Sequence, residues 1–473
     1  MSRSNNILTL GAVAAMLGGC VAGPDFVAPR DASPDRFTSA PLTHLEIASP
    51  DTSMAEAPAW WLPLCSRRLD ETIRLALDHN HDLAAARATL EQVQELARAS
   101  EGARYPQLDL QSSAGRQKYG AAFLGPEKLP PFNFYSVGFG VNYLFDFAGG
   151  VRRTIEQQRA LADYQGHEVE AAALSVSGNV TLQALAAASA RARIETVEAL
   201  LADDSKNLKL VKDAFDSGSA SRVDVLNAQS QFANDQTLLP PLRRDLSTAE
   251  HALALLVGQT PAEWNSPAFA LGDFTLPGQL PATLPAELAH RRPDIQAAEA
   301  QLHAATATVG IAAANLYPQI SLTATASMQS TTVHSLFDYS STAAGLTGSL
   351  TQPLFDHGVL RAREQAARDA MRAALNTYEQ VVLHSFGQVA DALEALNQDS
   401  ELIASEQTAV ATSTDNLELT RESYAAGNTG VLQILDAQRQ SEQARLGLIR
   451  AEAQRLQDSI ELLLALGGRV PHG

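Results

Sequence analysis

YAAGNTGVLQILDAQ, residues 424–438, restates in altered form a stretch met earlier in the chain, FDSGSASRVDVLNAQ at 215–229. Phe215 corresponds to Tyr424, Gly218 to Gly427, Leu226 to Leu435 and Gln229 to Gln438, all at a separation of 209 (424 − 215). LLVG ending at Gly258 matches LLALG ending at Gly467 at the same separation. Upstream, YPQLDL from Tyr105 matches YPQISL from Tyr317, and LFD occurs at both 144–146 and 354–356. Recurrence over such spans indicates one structural unit used twice.

On either side of the two glycines the apolar residues step at heptad intervals. Ile194, Val197, Leu201, Leu208, Val211 and Phe215 lead into the first glycine, and Val389, Leu393, Leu396, Ile403, Val410, Leu417 and Tyr424 into the second. The seam resumes through Phe232, Leu239, Leu246 and Leu253 in one copy. In the other it resumes through Leu432, Leu435, Glu442, Leu446, Ile449, Leu456, Ile460 and Leu463. Residues 151–217 hold no proline, so a continuous helix there would reach about 100 Å at ~1.5 Å per residue. The quoted glycines therefore cap long helical hairpins. Pro240 and Pro241 interrupt the first returning limb and predict a kink in it.

Further upstream the period changes to two. Tyr135, Val137, Phe139, Val141, Tyr143, Phe145 and Phe147 alternate with Ser136, Gly138, Gly140 and Asn142. Ile320 to Met328 alternates likewise, and Ala344, Leu346, Gly348 and Leu350 stand against Gly345, Thr347, Ser349 and Thr351. Four strands of about ten residues, apolar on one side and polar on the other, suit the wall of a membrane barrel with a wet lumen. The smallest such barrels need about eight strands, so several copies must share one wall. Phe132, Phe134, Tyr135, Tyr143, Phe145 and Phe147 are candidates for an interfacial aromatic girdle. A soluble β-sandwich half covered by helices is the alternative reading.

The first twenty residues, MSRSNNILTLGAVAAMLGGC, carry Arg3, an apolar run from Ile7 to Leu17 and small residues before Cys20. This is the pattern of a signal peptide ending in a lipid-attachment cysteine. The run is too short to cross a bilayer, and nothing later offers eighteen uninterrupted apolar residues. The expected modification is diacylglycerol and an N-acyl chain, such as palmitate, on Cys20, and the lack of an aspartate after it favours the outer membrane. With 473 residues, 45% of them hydrophobic, the chain can bury a large core. A net charge of −18 without a clustered basic face argues against a nucleic-acid partner.

These features resemble the TolC-like outer-membrane efflux proteins, in particular the NodT-type lipoprotein branch. The resemblance covers most of the chain after Cys20. It rests on CVAGPDF from Cys20, WW at 60–61, ALDHNHDL at 76–83, LPPLRRDLSTAEHALALLVG at 239–258, RRPDIQAAEAQL at 291–302, the doubled YPQ and LQILDAQ at 432–438. It implies a mainly α protein with a transmembrane β part: a homotrimer whose coiled-coil hairpins form an α-barrel, continued by a shared 12-stranded β-barrel with four strands per chain. The expected organisation is signal peptide 1–20, extended lipid-anchored segment 21–65, first repeat 66–262, inter-repeat segment 263–291, second repeat 292–467 and tail 468–473.

The resemblance makes the doubled turn the pair of periplasmic tips, where the duct narrows. Carried over by spacing from the two glycines, the tip and gate residues are Gly218, Arg222, Asp224, Tyr424, Gly427, Thr429, Gln433 and Asp436. Thr429 and Gln433 stand where many family members have an arginine and an acid, and Arg222 is the candidate replacement cation. On the residues alone, Asp224 and Asp436 equally suit the first turns of their helices, where acids favour the dipole. The implied function is passive: the exit duct of a tripartite efflux pump, conducting drugs or other toxic small molecules to the exterior. Its expected partners are a periplasmic membrane-fusion adaptor, an inner-membrane efflux transporter and outer-membrane lipid of a Gram-negative cell.

Three other readings stand beside it: a duct for type I protein secretion, a non-conducting coiled-coil lipoprotein, and a periplasmic enzyme. The sequence has no HExxH, GxSxG, P-loop, GxGxxG or zinc-spaced Cys/His cluster, so neither catalysis, metal nor cofactor is expected. His79 and His81 in DHNHD read as a solvated turn, Cys65 as a buried thiol, and Asp70 and Glu71 as lacking the partner a general-acid pair needs.

Overall fold

In the computed structural model the described residues are 21–29, 37, 59–119, 130–276, 292–468 and 470. Two helices, α1 (Arg67–His79) and α2 (His81–Glu101), precede strands β1 (Gln107–Gln117) and β2 (Phe132–Phe145). Then come α3 (Gly150–Asp216), α4 (Arg222–Gln236) and α5 (Leu239–Leu256). After α6 (Pro293–Ala314) the order is taken up again by β3 (Gln319–Ser330), β4 (Thr342–Thr351), α7 (Val359–Ala425) and α8 (Val431–Ala465).

Helices α3 and α7 are each 67 residues long. The limb returning from α3 spans 222–256 and α8 spans 431–465, 35 residues in each case (256 − 222 + 1; 465 − 431 + 1). Left-handed glycines mark the corresponding ends: Gly149 with Gly358, Gly218 with Gly427 and Gly258 with Gly467, each pair 209 apart. Where α8 is unbroken, the first limb stops at Gln236 and restarts at Leu239. Pro240 and Pro241 fall in the first turn of α5, where amide hydrogens have no partner inside the helix. The expected kink is thus a stop and restart rather than a strained bend.

The strands form one antiparallel sheet in the order β1-β2-β3-β4, with β2 and β3 adjacent although the first hairpin lies between them in the chain. The register runs without interruption from Gln107 opposite Asn142 to Gln117 opposite Phe132, and from Tyr135 opposite Ser330 to Phe145 opposite Ile320. Directly opposed residues share a face. One face therefore gathers Leu108, Leu110, Val137, Phe139, Val141, Tyr143, Leu322, Met328, Leu346 and Leu350. The other gathers Gln107, Asp109, Gln111, Asn142, Thr323, Ser327, Thr347 and Ser349. Leu110, Leu346 and Leu350 on the apolar face are 66%, 72% and 68% exposed, and among the described residues β1 and β4 end the sheet as open edges.

The same register divides the aromatic girdle. Phe132 and Phe134, at even positions, share the polar face with Gln117 and Gly115, whereas Tyr135, Tyr143 and Phe145 share the apolar one. Phe147 lies beyond the strand. A side chain at Gly115 would meet the Phe134 ring at 2.6 Å, so that ring covers the glycine of the neighbouring strand.

The chain separates into two compact units, neither following the halves of the sequence. One takes Met1–Pro29, Thr89–Gly166 and Ala297–Glu379 and contains the sheet; the other takes Arg30–Ala88, His167–Gln296 and Gln380–Gly473. The second has its core around Trp60, Trp61, Leu69, Ile73, Val180, Ala184, Leu253, Phe269 and Ile460. Trp60 Nε1 donates to Ser177 Oγ at 2.9 Å and Trp61 Nε1 to Asp70 Oδ1 at 2.9 Å, so neither buried indole is left unpaired. Buried Asn80, between His79 and His81, caps α2 through Leu83 N and donates to Leu256 O at 3.0 Å.

Cys65 is exposed, not buried: it ends the short turn Leu62–Leu64 at φ 54°, a left-handed position that turns its side chain outward. Asp70 and Glu71 pair along α1 with Arg74 and Arg67. A stretch of α3 is long and apolar enough to meet the bare criterion for a membrane span, but more than half of it is buried within the protein.

Candidate functional site

The two turns joining the hairpin limbs have the same backbone. In the first, Gly218 N donates to Phe215 O and Ser219 N to Ala214 O, at 2.9 and 2.8 Å. In the second, Gly427 N donates to Tyr424 O and Asn428 N to Ser423 O, both at 2.9 Å. Each is the glycine cap that closes a helix on its own carbonyls, with φ +80° at Gly218 and +74° at Gly427. Among the described residues no atom comes within 4 Å of a side chain built at either glycine, so conformation alone requires glycine there.

The turns differ where the returning helices start. Ser221 opens α4 with a reciprocal cap: Asp224 N donates to Ser221 Oγ at 3.2 Å, and Ser221 N donates to Asp224 Oδ2 at 2.9 Å. Ser221 Oγ also donates to Asp224 Oδ2 at 2.7 Å, and these bonds hold the carboxylate below its ordinary range. Gly430 opens α8 with no side-chain cap; Gln433 N donates to its carbonyl at 3.2 Å. Asp436 lies beyond the first turn of α8 and accepts from Arg439 at 2.5 Å and Gln440 at 2.8 Å. Arg222 is exposed, Tyr424 is 37% exposed, and half-buried Thr429 has no hydrogen-bond partner for Oγ1 among the described residues.

Val211, Val225, Ala228 and Leu435 form a small core just behind the turns, with Leu208 and Val431 against it. The two hairpins thus pack laterally within one chain, as their heptad seams predict. Phe215, Val223, Leu226, Tyr424 and Leu432 remain exposed around this core. Arg421 on α7 pairs with Asp203 on α3 at 3.6 Å, a link between hairpins that no sequence spacing announced.

Cys20 lies outside the described residues. The segment directly after it is held to the sheet-bearing unit. Ala22 N donates to Ala148 O at 2.9 Å, and buried Arg153 reaches Ala22 O at 3.2 Å and Asp25 Oδ1 at 2.7 Å. Phe26 stacks on His303 at 4.4 Å, and His303 meets Glu156 at 3.0 Å.

Capped helical hairpins, together with a sheet that has one apolar and one polar face, are parts that outer-membrane channels combine. The sequence pattern described as outer membrane efflux protein matches residues 72–259 and 284–468. The pyoverdine export outer membrane protein OpmQ of Pseudomonas putida is 30% identical, with 89% of this chain and 90% of its own covered. The probable outer membrane lipoprotein SilC of Salmonella typhimurium is 25% identical, with 96% of each chain covered. The solved structure of the outer-membrane channel OprN matches with a TM-score of 0.88 at 26% identity, over 95% of this chain and 99% of its own. The chain belongs to the outer membrane efflux protein family, a family of outer-membrane efflux channels and not of enzymes.

Proposed function

We propose that the protein is the passive exit duct of a tripartite efflux pump, carrying small toxic molecules from the periplasm to the exterior. The observation that carries the reading is the sheet: an exposed apolar face, a polar face and two unpaired edges. Unpaired backbone groups are costly in lipid, so the edges of β1 and β4 need strands from further copies. Three copies give a shared wall of twelve strands, with the polar face lining water and the hairpins forming an α-helical tunnel. The equal limb lengths and paired glycines support reading residues 66–262 and 292–467 as two repeats of one unit. The inter-repeat segment is 263–291.

Acylation of Cys20 with diacylglycerol and an N-acyl chain anchors the segment 21–65 to the outer membrane, a reading supported by the docked residues 21–29 and by the likeness to a lipoprotein. The exposed apolar residues at the turns provide a docking surface for the periplasmic adaptor, through which the inner-membrane transporter supplies the energy. Asp224, Tyr424 and Asp436, with Arg222, Thr429 and Gln433 around them, form the narrow end. Purified protein should run as a trimer in detergent and conduct ions in a planar bilayer; a monomeric, electrically silent protein sinks the proposal. Asp224→Ala or Tyr424→Phe should raise single-channel conductance, and unchanged conductance in both removes them from the gate. Deletion should raise drug accumulation; loss of an exported protein instead would favour type I secretion.

A further inference from the structure

The hairpins bury carboxyl groups for which a duct has no evident use. Asp399 on α7 and Asp458 on α8 are only 6% and 7% exposed. Gln454 Nε2 donates to both oxygens of Asp458, at 3.0 and 3.1 Å, while Oδ2 of Asp399 has no hydrogen-bond partner among the described residues. Leu396 on α7 and Leu462 on α8 pack in one buried core about a turn from the two acids, and the charged groups acting on Asp399 are Asp458 and Arg455, both on α8. Burial, then the hydrogen bond and repulsion from Asp458, pushes Asp399 up to about 7 against the pull of Arg455.

The other hairpin supplies a control. At the separation of 209, Asp399 corresponds to Ala190 and Asp458 to Ala249, which are 4% and 3% exposed. These positions therefore demand only a small buried side chain, and the carboxyls are not required by packing. The contrast also runs the other way. Asp204 on α3 faces Asp235 on α4 and Glu442 on α8, beside its neighbour Asp203, and burial followed by Asp235 pushes it up to about 7. The residues corresponding to Asp204 and Asp235 are the neutral Ser413 and Ala444, and Glu442 corresponds to Ala233.

Two ionised carboxylates facing each other away from water have only acceptors to offer. One proton between them supplies the missing donor and removes one of the two charges. We propose that buried Asp399 keeps a proton which it donates to the Asp458 carboxylate and that this hydrogen bond latches α7 to α8, so that the second hairpin loosens when the proton leaves. The proposal goes beyond the duct reading and does not rest on it. Asp399 keeps its proton above the ordinary value of 3.8, so the latch is complete below that pH, weakens as pH rises and is lost through about 7.

Hydrogen exchange on the detergent-purified full chain tests this, whether or not the protein conducts. Peptides covering 396–403 and 455–462 are followed between about pH 5.5 and about 8.5, with the intrinsic pH dependence of exchange divided out. Opening should rise about tenfold in the wild type, within the ceiling of roughly tenfold per pH unit that one proton allows. Asp399→Asn supplies a permanent N–H donor and should hold opening at its acid value throughout. Replacing both residues by alanine copies the first hairpin and should also give a flat profile. A flat wild-type profile, or variants that keep the wild-type rise, overturns the latch. So does a change in the exchange profile at 200–208, the segment around Asp204 in the first hairpin, between wild type and variants, which would mark a global change.

Discussion

The two hairpins of this chain share a frame and differ in their chemistry. Their outgoing helices match at 67 residues, their returning limbs cover 35 residues each, and their left-handed glycines fall 209 apart. Yet only the first has a reciprocal Ser221–Asp224 cap and a limb restarted at Leu239, and only the second buries Asp399 against Asp458. Lengths and turn positions are what a close-packed bundle has to keep. Caps and buried acids are free to diverge because they alter local stability without changing where the helices run.

The largest expected effect falls on a glycine that is held twice over. Gly258 is left-handed, and a side chain there would come within 2.3 Å of His79 O. Gly258→Ala should cost about 3 kcal/mol or more, from strain together with that clash. Thermal unfolding of the detergent-purified protein reads it. Gly218→Ala and Gly427→Ala meet no neighbour, so each should cost only ~1–2 kcal/mol, and by the same amount if the frames are equivalent.

Smaller effects probe the chemistry. Ser221→Ala should cost about 1 kcal/mol by removing a cap, whereas Gly430→Ser should gain only a few tenths, since glycine is already tolerated at that position. Glu442→Gln lies between them. Burial raises this carboxyl above its ordinary range against the pull of Arg445, so neutralising it should stabilise the protein slightly at neutral pH and by less in acid. A gain that grows on acidification would show that Glu442 is not held unfavourably ionised.

Much of this was legible in the sequence because it is periodic. Alternation at 135–147 gave the face assignment of β2, and the heptad steps with the proline-free run gave the long helices. Aromatic clustering groups Phe132 and Phe134 with the odd-numbered rings, whereas their even phase puts them on the opposite face. Glu442 falls on a step of the heptad seam: a heptad names the buried position but says nothing of what faces it from another helix. The Arg153–Asp25 pair, the Arg421–Asp203 link and the two acid clusters join residues far apart in sequence, so no local pattern carries them. Cys65 turned outward because of one backbone angle, which composition does not encode.

The unpaired edges of β1 and β4 also bear on the newly made protein. A newly exported chain offers two backbone templates and an oily surface to whatever it meets on the way, the conditions under which strands add to strangers. Overproduction that leaves these edges exposed should therefore yield insoluble, β-rich aggregates.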